Sequence, residues 1–195
     1  EFIIANPRAY AKNVRYTESD LNRSYGLGLD TYEGQRAKTI EERIRLLKPE
    51  LVLDFHTTTA EQPDILITAD RNNEVVQRFI NASAVKDILV VEPLNDITTV
   101  APNFVAYEVP NSHLNDDLYK QICTDIERYL NGKMIDQERT FYKMIGKILP
   151  EEEKSIDGLE NFVYNDELQA IPSFLGSKAY KQDGTYAGFK LERLI

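Results

Sequence analysis

Apolar and polar positions along the chain follow two periods. Short apolar runs closed by turn residues read as strands at "LVLDFH" (51–56), "DILIT" (64–68), "DILVVE" (87–92) and "NFVAYEV" (103–109). Between them the spacing becomes helical. Ala37, Ile40, Ile44 and Leu47 recur after a capping-box pattern, Asp30 with Glu33, and stop before Pro49. "RNNEVVQRFINASA" (71–84) predicts an Asn-capped amphipathic helix with Val75, Val76, Phe79 and Ile80 inward. Leu114, Leu118, Ile122 and Ile126 mark a longer helix that ends at Asn131-Gly132. At the start, "EFII" reads as a buried strand stopped by Asn6-Pro7, and residues 6–30 carry no period and read as one long loop. After residue 132, "ERTFYKMIGKIL" alternates like a strand, "PEEEKSIDG" reads as a charged loop, and Asp183-Gly184 marks a turn. Alternating strands and helices predict an α/β fold with a mostly parallel mixed sheet flanked by helices. Two parts are expected, an α/β domain over 1–133 and a small β-rich appendage over 134–195.

Composition narrows the class. At 195 residues with 42% apolar and 28% charged side chains, the chain can build one substantial core. A net charge of -9 argues against nucleic acid and anionic membrane as partners. No apolar run reaches the roughly 18 residues that span a bilayer. The single cysteine, Cys123, reads as a structural thiol on a helix, which fits a reducing, cytoplasmic compartment. Because the chain opens on Glu1 directly into a strand pattern, further residues are expected upstream, and a removed signal peptide stays open.

Against that acidic background, "VRYTESDLNRSYG" (14–26) gathers Arg15, Asn22 and Arg23 in a segment without helical or strand period. Two guanidinium forks and an amide suit a carboxylate or a developing oxyanion. The plainer reading is a solvated loop in which Asp20 and Glu18 pair the arginines. His56 closes a strand, where ligands gather in open α/β sheets, and it reads equally well as a hydrogen-bonded strand end. Glu108 ends another strand and is expected at the same sheet edge, with Tyr107 on the opposite face as packing. His113 precedes a helix and reads as a helix-entry residue.

Taken together, "ANPRAY…VRYTESDLNRSY", "DFHTTT" and "AYEVP", in this order and at these separations, resemble the succinylglutamate desuccinylase and aspartoacylase family. The resemblance runs from residue 1 to about 148, more loosely beyond, and is nearest the aspartoacylase branch through Asn6-Pro7-Arg8-Ala9 and Asp20-Leu21-Asn22-Arg23. It implies a zinc carboxypeptidase-like fold and a zinc-dependent amidohydrolase that removes the acyl group from a small N-acyl amino acid. By position, it makes His56 a zinc ligand and Glu108 the general acid/base. It makes Arg15 the oxyanion's partner, and Asn22 with Arg23 the grip on the substrate carboxylate. The β-rich tail would narrow the entrance to the site, and a homo-oligomer stays open.

Two departures qualify these expectations. The family's first two zinc ligands lie in a His-x-x-Glu motif before the strand with which this chain opens, so these 195 residues alone are expected to bind zinc weakly and to be inactive. His113 is a remote candidate for a second ligand. The aspartoacylase branch also carries an arginine about ten residues before its glutamate, where this chain has "NDITTVAPNF"; N-acetylaspartate therefore does not follow as the substrate. The family's last substrate-contacting tyrosine finds candidates only in Tyr180 and Tyr186. The alternatives are a zinc carboxypeptidase acting on peptides, and a non-catalytic anion-binding module on the same scaffold.

Overall fold

A computed structural model describes residues 1–91, 97–179 and 185–194. Glu92, Tyr180, the Asp183-Gly184 turn and part of "NDITTVAPNF" lie outside the described residues. The chain divides into two compact units, Glu1–Val52 with Glu92–Phe104, and Leu53–Val91 with Val105–Ile195.

In the first unit, residues 1–4 form no strand, and Phe2 is 81% exposed. This corrects the reading of "EFII" as buried. An apolar run states a preference for burial, but a strand also needs a neighbour to pair with, and here the Arg36 guanidinium donates to the carbonyls of Ile4 and Ala5. Residues 6–30 also contain more order than a bare loop. Helix α1, Pro7–Lys12, starts from Asn6, whose side chain accepts from the Ala9 amide, has Pro at its first turn, and ends on Asn13 in the left-handed conformation. A 3-10 turn spans Leu21–Arg23. Both are too short for periodicity to reveal. Helix α2, Tyr32–Leu47, begins on Thr31, whose hydroxyl accepts from the Gly34 amide. The expected Asp30/Glu33 capping box is therefore absent. Ala37 and Ile40 are buried as predicted, while Leu47 is exposed.

In the second unit, but for the first residues of β1 and β4, strands β1 (Val52–Thr58), β2 (Ile65–Thr68), β3 (Asp87–Val90), β4 (Phe104–Pro110), β5 (Thr140–Ile148), β6 (Ile171–Ser173) and β7 (Gly188–Leu194) build one seven-stranded sheet in the order β1-β4-β2-β3-β5-β7-β6. The sheet is mixed. β2 with β3 and β3 with β5 are parallel, whereas β4 runs antiparallel to β2, and β7 runs antiparallel to both β5 and β6. Residues 134–195 thus extend the same sheet through β5, β6 and β7.

Helices α3 (Glu74–Ala82, capped by Asn73) and α4 (Asp116–Leu130, capped by Asn115) match the helical spacing. Leu114 lies before α4 and is exposed, and Cys123 is half-buried on it. "PEEEKSIDG" is not all loop: α5 spans Pro150–Ser155, with Pro at its first turn and Glu152 accepting from the Leu149 amide. The local signal was Pro followed by acids at a helix start.

The two faces of the sheet carry different covers. On one, Tyr107 meets Phe79 of α3 edge-on, with ring centroids 5.9 Å apart. On the other, Ile65, Leu89 and Tyr142 pack with Ile171, Phe174, Tyr186, Phe189 and Leu191 from the carboxyl-terminal third.

Candidate functional site

The predicted site residues fall in two places. Arg15, Asn22 and Arg23 belong to the first unit; one carboxylate, that of Asp20, holds the first two, and the Asp20 carbonyl accepts from the Arg23 amide at 3.1 Å. Asp20 Oδ2 accepts from Arg15 Nε at 3.1 Å and Nη2 at 2.7 Å, while Oδ1 accepts from the Asn22 amide at 3.0 Å and so opens the 3-10 turn. A guanidinium fork on one carboxylate oxygen has its orientation set as well as its charge. Asn22 is half-buried, Arg23 is exposed, and Arg15 keeps 46% of its side chain accessible. The plainer reading was right about Asp20. Glu18, instead, pairs Arg8 at 3.7 Å and accepts from the Tyr32 amide.

Below this loop sits a residue whose weight the sequence did not reveal. Glu33 is 0% exposed. Its Oε1 accepts from the Thr17 amide (2.6 Å), the Thr17 hydroxyl (2.7 Å) and Asn6 Nδ2 (3.1 Å), and its Oε2 from the amides of Glu18 (3.1 Å) and Ser19 (3.2 Å). Burial disfavours its charge, but the bonds from Thr17, Asn6 and Ser19 outweigh burial and lower its pKa from 4.5 to about 2. A lowered folded-state pKa adds stability that is fully present above pH 4.5 and is lost as pH falls toward 2. At about 1.4 kcal/mol per pH unit, the total is on the order of 3 kcal/mol. Acid unfolding followed between pH 5 and 2 should therefore lose most of this slope in Glu33→Gln. An identical slope in the variant would refute the assignment.

In the second unit, His56 on β1 and Glu108 on β4 lie on neighbouring strands. Phe55 and Tyr107, the residues just before them, stack at 5.4 Å. Strand alternation then puts His56 and Glu108 together on the opposite face. Glu108 is half-buried and registers with Ile65, so this is the face covered by the carboxyl-terminal third. Asp54, two residues before His56 and hence on the same face, bonds His56 Nε2 at 2.6 Å. The spacing "DFH" carried that signal. Tyr107 is fully buried, as expected of packing, and His113 enters α4 through a short turn with Nδ1 on Asp64 at 2.6 Å.

Zinc demands three or more protein donors. Among the described residues no group of three His, Cys, Asp or Glu side chains could hold a metal ion. The donors among the described residues therefore do not by themselves make a three-ligand zinc site. Among the described residues, too, no helix is long and apolar enough to cross a membrane.

A model of the succinylglutamate desuccinylase/aspartoacylase catalytic domain matches residues 1–100. A probable aspartoacylase of Prochlorococcus marinus (strain MIT 9515) is 38% identical over 82 residues, which covers 38% of this chain and 28% of that protein. An N-acyl-aromatic-L-amino acid amidohydrolase (carboxylate-forming) of Xenopus tropicalis is 37% identical over 70 residues, covering 31% of this chain and 23% of its own length. These matches thus span about a quarter of each relative. Among solved structures, murine aminoacylase 3 aligns over 98% of this chain and 82% of its own, with a TM-score of 0.68 and 21% identity. Succinylglutamate desuccinylase from Chromobacterium violaceum aligns over 99% and 72%, with a TM-score of 0.75 and 16% identity. At such identities the structural likeness establishes the fold.

Proposed function

The chain belongs to the succinylglutamate desuccinylase/aspartoacylase family, and on that premise we propose that it serves a zinc-dependent amidohydrolase that removes the acyl group from an N-acyl amino acid. The observation that carries the reading is the common face of His56 and Glu108, held by the Phe55–Tyr107 stack with Asp54 orienting the imidazole. The match to relatives named as a probable aspartoacylase and an N-acyl-aromatic-L-amino acid amidohydrolase supports it.

In this reading Glu108 takes the proton of the attacking water and returns it to the departing amine. Arg15 meets the negative charge that develops on the amide oxygen, and its clamp to Asp20 means that little reorganisation is needed when the charge appears. Arg23 and Asn22 hold the amino-acid carboxylate, which turns affinity into orientation. With zinc bound, His56 would supply one of its ligands, and the metal would acidify the attacking water. Residues 134–195 favour a small substrate over a peptide by narrowing the entrance.

The test is a panel of N-acyl amino acids and short peptides offered to the longest native chain that contains these residues, with zinc content measured on the same sample. Turnover of an N-acyl amino acid with about one zinc per chain is expected. Peptide turnover alone would favour the carboxypeptidase reading. Carboxylate binding without zinc or turnover would favour an anion-binding module, a reading supported by the lack of a three-donor group among the described residues. Within the panel, Arg15→Ala should lower kcat about a hundredfold. Arg23→Ala should act mainly on KM, by about tenfold.

A further inference from the structure

We propose that Glu33 is the positioning residue of the arginine loop: its buried carboxylate holds residues 17–19 so that Asp20 can aim Arg15 and Asn22 at an acyl amino acid. The inference rests on the reading of that loop as the carboxylate and oxyanion grip.

Glu33 does not cap its helix. Thr31 does, through the Gly34 amide. Both Glu33 oxygens are instead taken by five donors from outside α2, on Asn6 and on residues 17–19. Asn6 is itself the cap of α1, so one carboxylate links two segments of the loop. The next residue along is Asp20, whose two oxygens divide between the Arg15 fork and the Asn22 amide. Backbone set by Glu33 thus passes directly into the side chain that sets the site.

Its surroundings reinforce this hold. Ser19 Oγ lies 2.8 Å from Thr31 Oγ1, and the Ser24 hydroxyl donates to the Asp20 carbonyl at 2.7 Å. Two turns further along α2, buried Glu41 accepts from the Gly26 amide at 2.7 Å and fixes the loop's exit. At Gly34 a Cβ would fall 2.2 Å from the Leu29 carbonyl oxygen, so glycine there lets the returning chain press against the start of the helix. Apolar anchoring is thin: Val14 and Tyr16 are exposed, and Tyr25 is the buried aromatic of the segment. The loop's shape is therefore set mainly by polar contacts to α2. Glutamine at 33 would turn an amide nitrogen toward donors and lose at least one acceptor.

The experiment uses the native chain, with N-acetylglycine as the probe, and compares wild type, Glu33→Gln, Thr17→Val and Arg23→Ala. Affinity is read by NMR titration, and amide exchange is followed at Thr17, Glu18 and Ser19 against the sheet amides of Leu66 and Leu89. Glu33→Gln should speed exchange at 17–19 by a larger factor than at the sheet amides and weaken N-acetylglycine by about tenfold. Thr17→Val, which removes one donor, should act in the same direction by about threefold and carries the test if Glu33→Gln fails to fold. A purely structural Glu33 would loosen the amides and leave affinity alone. That result, with Arg23→Ala still weakening the probe, overturns the positioning role and spares the reading of the loop. An Arg23→Ala chain that binds N-acetylglycine like wild type overturns both.

Discussion

Glu108→Gln is expected to abolish turnover, lowering kcat by about a thousandfold or more while KM changes little. Glutamine keeps the size and one acceptor of glutamate but cannot take up a proton at any working pH. If one carboxylate serves first as base and then as acid, both halves of the reaction fail together. The substitution should leave the fold intact. Glu108 is half-buried near the end of β4, and the strand's position rests on its neighbours: Tyr107 against Phe79 and Phe55, and the register with β2. Steady-state kinetics on the native chain, paired with a melting curve, checks this. A variant that retains more than about a tenth of wild-type kcat with an unchanged melt would remove Glu108 from proton transfer.

The second large effect is on stability. Asp125 lies on α4 at 0% exposure and accepts from Ser83 Oγ (2.8 Å), Tyr107 Oη (2.8 Å), the Ala84 amide (3.1 Å) and Arg128 Nη1 (3.1 Å). It ties the helix to the middle of β4 and to the chain leaving α3. Burial, then the charge of Asp125, pushes the Tyr107 hydroxyl well above its ordinary pKa, so it remains a donor throughout the neutral range. Asp125→Ala removes the acceptor and strands these donors in the core. Breaking one side of a buried charged network costs about 3–5 kcal/mol, a large share of the roughly 5–15 kcal/mol that holds a domain together. Tyr107→Phe removes one donor and one bond, and should cost only about 1 kcal/mol. Urea unfolding of the three proteins measures both. If Asp125→Ala falls within about 1 kcal/mol of wild type, the network is not the anchor described here.

Asp125 also shows where pattern reading stops. It lies beside the apolar stripe of Leu118, Ile122 and Ile126, and an acid near a stripe looks like an interruption until its partners are known. Those partners come from α3's end and from β4, 42 and 18 residues away along the chain. Glu33 is the same case at a helix start. Its position suits a capping box or a favourable dipole, and the sequence supplies no sign that residues 6 and 17–19 will all donate to it.

Periodicity and local chemistry were sufficient for what depends on near neighbours. The strands at 51–56, 64–68, 87–92 and 103–109, the three long helices and their asparagine caps on α3 and α4 follow from side chains one to four residues apart. The ordered motifs around Arg15, Asn22, Arg23, His56 and Glu108 likewise made the family legible. Three-dimensional packing decided the rest. It left residues 1–4 without a strand partner, reversed β4 and β7 within the sheet, and set His56 and Glu108 on one face. It also turned two buried carboxylates into hubs. The physical reason is range: a cap or a stripe is satisfied within one turn, whereas strand neighbours and buried charges are satisfied by whatever distant segment the fold brings within hydrogen-bonding distance.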